Sequence, residues 1–337
     1  MAASALLVLV AADAALQRLV PAPPKLMEVE EGVAAYEAGD PDTLVLGSSH
    51  TRSFLAVRDR LQAEGGARLA PIPVEWGTFT SYQWVWEHRV RSLVDARDAS
   101  GAKVRGRLTR AVLVTTFYDL CTLPASVGGP ANLPARGWTT SDFVADVATH
   151  GLTSYNRNFL QWRLGRALSA STLLSDRGYG KLTDALHDLV RPGPTHAEQR
   201  EASIAAGRRH MEEQFATCDD AAERRALRSL VDDFVARGVE PTIVLFPLLP
   251  GLVSPRSRET TLRRYEQRVA ELASEVPARV VDLTFGAPLV DDDFQDDLDH
   301  VRRESNPKFA EWALAGGLAY LRTPRAPGPV RVEAASP

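Results

Sequence analysis

Two short segments, far apart in the chain, hold residue types that can do nucleophilic chemistry together. The first is Gly47-Ser48-Ser49-His50. It ends a short apolar run and leads straight into a helical pattern. A serine on such a turn sits where backbone N–H groups and the helix dipole favour negative charge. That setting suits an attacking alkoxide and the oxyanion it forms. Taken alone, the same serine is also what an ordinary helix N-cap supplies. The second segment is Asp297-Leu298-Asp299-His300. A carboxylate three residues before a histidine can orient the imidazole, which can then take a proton from a serine brought near by the fold. Taken alone, it also describes a charged surface loop, because Asp291, Asp292, Asp293, Asp296 and Asp299 crowd the same stretch. The two segments are more telling as a pair. A nucleophile after the first strand and an Asp-x-x-His after the last would meet at one edge of a sheet.

The elements needed to bring them there are legible as periodic patterns. Apolar runs at Thr43–Leu46, Leu69–Val74, Ala111–Thr115, Thr242–Phe246 and Arg279–Leu283 have the length of buried strands, and several are β-branched. Helical patterns at Thr51–Ala63, Ser81–Ala96, Ala197–Arg237 and Arg258–Glu275 separate them. Strands alternating with helices predict an α/β fold: a doubly wound parallel sheet of about five strands, flanked by helices and joined by right-handed crossovers. In such sheets ligands bind beyond the carboxyl ends of the strands. The expected α/β domain covers residues 25–322, with a helical insertion at about 125–236 marked by breaks at Gly128-Gly129-Pro130 and Arg191-Pro192-Gly193-Pro194. Residues 323–337 are Pro-rich, lack a periodic apolar face and read as a disordered tail.

Composition narrows the function classes. Among 337 residues, 45% are hydrophobic and 24% charged, ordinary for a globular domain. The net charge is -4 and no basic stripe with interleaved aromatics occurs, so no nucleic-acid partner is expected. Cys121 and Cys218 form no C-x-x-C pair, which excludes a cysteine zinc site and leaves both a disulfide and two free thiols open. No cofactor and no metal are called for. The Asp291–Asp293 run lacks the glycine and glutamate spacing of a calcium loop. Residues 1–24 read as an apolar helix, Ala2–Val20, and a linker, Pro21-Ala22-Pro23-Pro24, that stops it. As a signal anchor, this helix would place the α/β domain in the cell envelope, on the periplasmic side of the membrane; packed on the domain, it would leave the protein cytoplasmic.

Other residues have plainer readings. His50 adjoins Ser49, but neighbours at a helix start diverge, so a local polar contact is expected. His150 reads as a cation at a helix C-terminus, and His196 and His210 as exposed on polar helix faces. Phe79, Tyr82, Trp84 and Trp86 are either core residues or the lining of a substrate groove.

The two segments also resemble a known family. Val45-Leu46-Gly47-Ser48-Ser49 is similar to the first block, usually Gly-Asp-Ser, of the SGNH (GDSL-like) hydrolases. Phe294-Gln295-Asp296-Asp297-Leu298-Asp299-His300 resembles their last block, and Lys308–Leu314 their final helix. The resemblance implies Ser49 as nucleophile, His300 as general base and Asp297 as its orienter. It implies an oxyanion hole from the Ser49 N–H, the Gly77 N–H and the residue in the family's Asn place, which here is Tyr118. Ser48 stands where the family has Asp.

The Gly-Ser-Ser-His form, the leading apolar helix and the helical insertion resemble the envelope proteins of polysaccharide O-acetylation, such as the alginate acetylation proteins. That likeness implies acyl-ester chemistry: O-acetyl transfer to, or removal from, a cell-envelope glycan, with an integral-membrane acyl-donor protein as partner. Two alternatives stand beside it. One is a lipid or small-ester hydrolase. The other is an inactive membrane-tethered scaffold binding a glycan or synthase partner, favoured by Tyr118 in the Asn place.

Overall fold

The structure is a computed structural model that describes residues 24–74, 77–96, 108–116, 221–249, 258–295 and 300–324, with short helical pieces between 143 and 209. The expected N-terminal anchor, Cys121, Cys218, His150, His196, His210 and, of the C-terminal tail, residues 325–337 lie outside the described residues. The chain divides into two compact units. One comprises Met1–Met27 and Ala131–Arg200; the other comprises Glu28–Pro130 and Glu201–Pro337 and holds the sheet.

All five expected strands form, and all their pairings are parallel. They are β1 (Thr43–Gly47), β2 (Leu69–Pro73), β3 (Arg110–Thr115), β4 (Glu240–Leu245) and β5 (Arg279–Asp282), in the spatial order β2-β1-β3-β4-β5. This is the doubly wound order with its switch point between β1 and β3, and in sheets of this order ligands bind outside the carboxyl ends of the strands at that point. Central β1 and β3 are buried along their whole length, as their unbroken apolar runs require when helices cover both faces. β2 carries Pro71 and Pro73 and lies at the sheet edge. Prolines two apart withhold their donors on the same side of a strand, and only an edge has a side without a partner.

Helices flank the sheet. Before β1 runs α1 (Pro24–Gly39), and after it α2 (Phe54–Glu64); α2 packs with the final helix, α7 (Asn306–Ala315). The helix expected over Ser81–Ala96 forms and runs without interruption from Phe79 to Asp95, as α3 (Phe79–Val85), a π turn at Trp86–Val90 and α4 (Arg91–Asp95). The widened turn starts at Trp86, whose fully buried indole meets Phe234 edge-on at 4.6 Å and donates from Nε1 to Asp233 at 2.5 Å. Helix α6 (Arg258–Glu275) leads into β5.

Phe234 belongs to α5 (Ala221–Ala236), which packs on α3 and buries Leu227, Leu230, Val231 and Phe234. That spacing is one helical face. The last helix of the stretch expected as an insertion, α5 enters β4 and lies in the same unit as the sheet.

Glu223, in the first turn of α5, is a buried carboxylate that caps α3 from outside. It accepts the Thr80 N–H at 3.0 Å and the Thr80 hydroxyl. Burial pushes its carboxyl above the ordinary range, against the pull of hydrogen bonds from Thr80, Thr78 and the Phe79 N–H.

Candidate active site

The turn after β1 is fixed by lack of space. A Cβ on Gly47 would fall 2.3 Å from the Val114 carbonyl oxygen and 2.6 Å from Thr51 Oγ1, so only glycine fits between β1, β3 and the following turn. The Gly47 carbonyl accepts the Val74 N–H at 2.7 Å, and the Ser48 carbonyl accepts the Thr51 N–H at 2.9 Å. The chain then enters a 3-10 helix at Ser49–Ser53. Ser48, not Ser49, is the N-cap residue, and its side chain makes no capping bond. The plain helix-cap explanation of Ser49 therefore fails: its hydroxyl is turned elsewhere.

It is turned to His300. Ser49 Oγ lies 2.5 Å from His300 Nε2, across 251 residues of sequence. Ser49 is 7% exposed, so the pair is held where solvent has little access to the hydroxyl.

Several bonds hold the His300 segment in place. Phe294 and Val301 form an antiparallel bridge. The Gln295 N–H donates to the His300 carbonyl at 2.8 Å, and the Arg302 N–H to the Asp293 carbonyl at 2.7 Å. Arg302 Nε donates to the Phe294 carbonyl at 2.7 Å. At the base of this loop the Asp293 carboxylate accepts from the Val290 N–H at 2.8 Å, Ser305 Oγ at 2.8 Å and Lys308 Nζ at 2.6 Å. Burial alone would raise this carboxyl, but those three donors outweigh it and hold Asp293 below the ordinary range. Asp293 is thus a clamp between the acidic loop and α7. Among the described residues no three His, Cys, Asp or Glu side chains converge as metal ligands. Asp297 belongs to residues 296–299, outside the described residues.

His50 is where the structure adds most to the sequence reading. Its local contact is present: Nδ1 lies 2.7 Å from Ser48 Oγ. Its ring also stacks on His300, with centroids 4.4 Å apart and planes 7° from parallel. Behind it stand Phe246 at 4.9 Å, Phe309 of α7 at 5.0 Å from Phe246, and Phe54 of α2 at 6.0 Å from Phe309. A chain of rings thus runs from the Ser49–His300 pair into the core. Adjacency in sequence gave no hint of it, because the stack depends on how the last loop lands.

No protein-family model matches this chain, and no curated protein matches it either.

The site places a hydroxyl within hydrogen-bond reach of a ring nitrogen, at the carboxyl edge of a parallel sheet. That is the geometry of a nucleophile with its general base. The oxyanion donors are less complete. Ser49 opens the 3-10 helix, so its N–H has no acceptor within that helix. The Gly77 N–H is already spent on the Val74 carbonyl at 2.7 Å. The identity of Gly77 has a packing cause instead: a Cβ there would meet the Val74 carbonyl oxygen and the Tyr82 ring at 2.7 Å each. Tyr118 lies outside the described residues. The aromatics considered as a groove are core, since Phe79, Tyr82, Trp84 and Trp86 are all buried. The Tyr82 hydroxyl is occupied by the Gly77 and Val114 carbonyls.

Proposed function

We propose that this protein carries out serine-dependent acyl-ester chemistry with Ser49 as nucleophile, His300 as general base and Asp297 as the carboxylate that orients His300. The observation that carries the proposal is the 2.5 Å approach of Ser49 Oγ to His300 Nε2. His300 Nε2 takes the Ser49 proton as Oγ attacks the ester carbonyl. The tetrahedral oxyanion collapses, the C–O bond to the alcohol breaks, and the Nε2 proton passes to the leaving alkoxide. Water or a sugar hydroxyl, deprotonated by the same nitrogen, then attacks the acyl-serine and releases Ser49. The Ser49 N–H is the first oxyanion donor in this scheme.

For the substrate, we propose an O-acetyl group on a cell-envelope polysaccharide, transferred or removed, with an integral-membrane protein as the acyl donor if the reaction is transfer. The likeness of Gly47-Ser48-Ser49-His50, the leading apolar helix and the helical insertion to the envelope proteins of polysaccharide O-acetylation supports that choice. A second reading, hydrolysis of a lipid or small ester, has one observation in its favour. Leu55, Phe285 and Val290 are exposed apolar side chains on segments that follow the carboxyl ends of β1 and β5.

Parallel assays with p-nitrophenyl acetate, a long-chain p-nitrophenyl ester and an acetylated glycan test both readings. The proposal expects turnover of the acetyl substrates that disappears in Ser49→Ala and His300→Ala. Preference for the long-chain ester favours the second reading, and activity unchanged in both variants refutes the serine mechanism.

A further inference from the structure

We propose that His50 is a positioning residue for the His300 imidazole, with Ser48 as its anchor, an inference that rests on the serine mechanism proposed above. A general base needs its Nε2 lone pair aimed at the serine hydroxyl, and an imidazole on a loop is free to rotate about its last side-chain torsion. A carboxylate bonded at Nδ1 restrains one end of the ring but leaves its plane less constrained. The His50 ring supplies that second restraint. It lies face to face with His300, 4.4 Å away and 7° from parallel, and it is 4% exposed. Its own orientation is set from two sides. Ser48 Oγ holds Nδ1 at 2.7 Å, and the Phe246 ring tilts against it at 4.9 Å.

This gives the two positions beside Ser49 a joint task. Ser48 stands one residue before Ser49 and His50 one after it, and both are buried. The turn that presents the hydroxyl therefore also carries the platform for the base that deprotonates it. Nucleophile and base are registered to each other through one five-residue 3-10 helix, so a small displacement of the last loop is corrected by the stack. The flat face of the ring matters for this role, and its nitrogens matter only for anchoring.

The test compares His50→Phe with His50→Leu. Both fill the site with apolar bulk, but phenylalanine alone restores a flat face. The readout is the rate of Ser49 modification by a saturating fluorophosphonate, with the half-saturation concentration measured separately and thermal unfolding checked for each variant. His50→Leu should slow the limiting rate by about tenfold to a hundredfold, the range for a misaligned catalytic group, with half-saturation unchanged. His50→Phe should recover most of that loss. Ser48→Ala leaves the imidazole in place, removes its anchor and should slow the rate by a smaller factor. Equal rates for His50→Leu and His50→Phe, whether both slow or both at the level of the unaltered protein, overturn the positioning role. If His50→Leu does not fold, an unslowed Ser48→Ala overturns it. Absence of any Ser49 adduct in the unaltered protein, with Ser49→Ala as control, refutes the serine mechanism and the positioning role falls with it.

Discussion

Removing the Asp293 carboxylate should both destabilise the protein and slow its chemistry, because one side chain anchors the loop that carries His300. Asp293 accepts from Val290 N–H, Ser305 Oγ and Lys308 Nζ, and Ser305 is itself buried. In Asp293→Ala the half-exposed Lys308 ammonium returns to water at little cost. The buried Ser305 hydroxyl and the part-buried Val290 N–H lose their acceptor, and the expected loss is about 2–3 kcal/mol. Urea unfolding should show a lower midpoint with an unchanged slope. The rate of Ser49 labelling should fall as well, since the loop would lose its ties to Val290, Ser305 and Lys308 and keep only the Phe294–Val301 bridge with the bonds of Gln295 and Arg302. Asp293→Asn keeps one acceptor oxygen and should lose about 1 kcal/mol. The pH dependence follows from the sign of the shift. The folded carboxyl titrates below its unfolded value, so its stabilisation is complete above about pH 4 and fades as pH falls through the lowered folded value. The acid-induced loss of stability should therefore be smaller in Asp293→Asn than in the unaltered protein. Asp293→Ala with unchanged urea midpoint and unchanged labelling would show that the clamp holds nothing.

Two further substitutions probe the scaffold. Gly47→Ala drives a methyl group into the Val114 carbonyl and Thr51; it should cost at least about 2 kcal/mol by urea unfolding and abolish Ser49 labelling, because the strained contact is backbone that cannot move aside. Glu223 titrates above the ordinary carboxylate range, so its contribution to stability is present at low pH and declines as pH rises from the unfolded to the folded value. Glu223→Gln should flatten that decline, whereas Glu223→Leu, which strips the acceptor from Thr80, should lose about 1–3 kcal/mol; equal behaviour of the two would contradict the trans-cap account.

The sheet was legible because central parallel strands, buried on both faces, cannot alternate polar and apolar residues. Their runs stand out at Thr43–Leu46 and Ala111–Thr115 without any tertiary information. The pairing of Ser49 with His300 was legible for a topological reason, since the first and last βα connections of a doubly wound sheet open on the same edge. What escaped the sequence reading depends on how individual groups pack. The π turn inside the helix after Val85 begins at a single indole, Trp86, that meets Phe234 and Asp233. The Asp291–Asp293 run looked like solvated charge, yet its third member is a buried clamp. Gly77 matched the place of an oxyanion donor, but its N–H closes a turn on Val74. The His50–His300 stack joins residues on two separate loops, and no periodic pattern encodes a contact of that kind.

The most direct test of the account is mass spectrometry of the intact protein and its peptides after treatment with a fluorophosphonate. A single phosphonyl adduct on Ser49, absent in Ser49→Ala and slowed by at least about a hundredfold in His300→Ala, is the predicted result. An adduct on Ser49 that forms equally fast without the His300 imidazole, or an unmodified Ser49 in the folded protein, would contradict it.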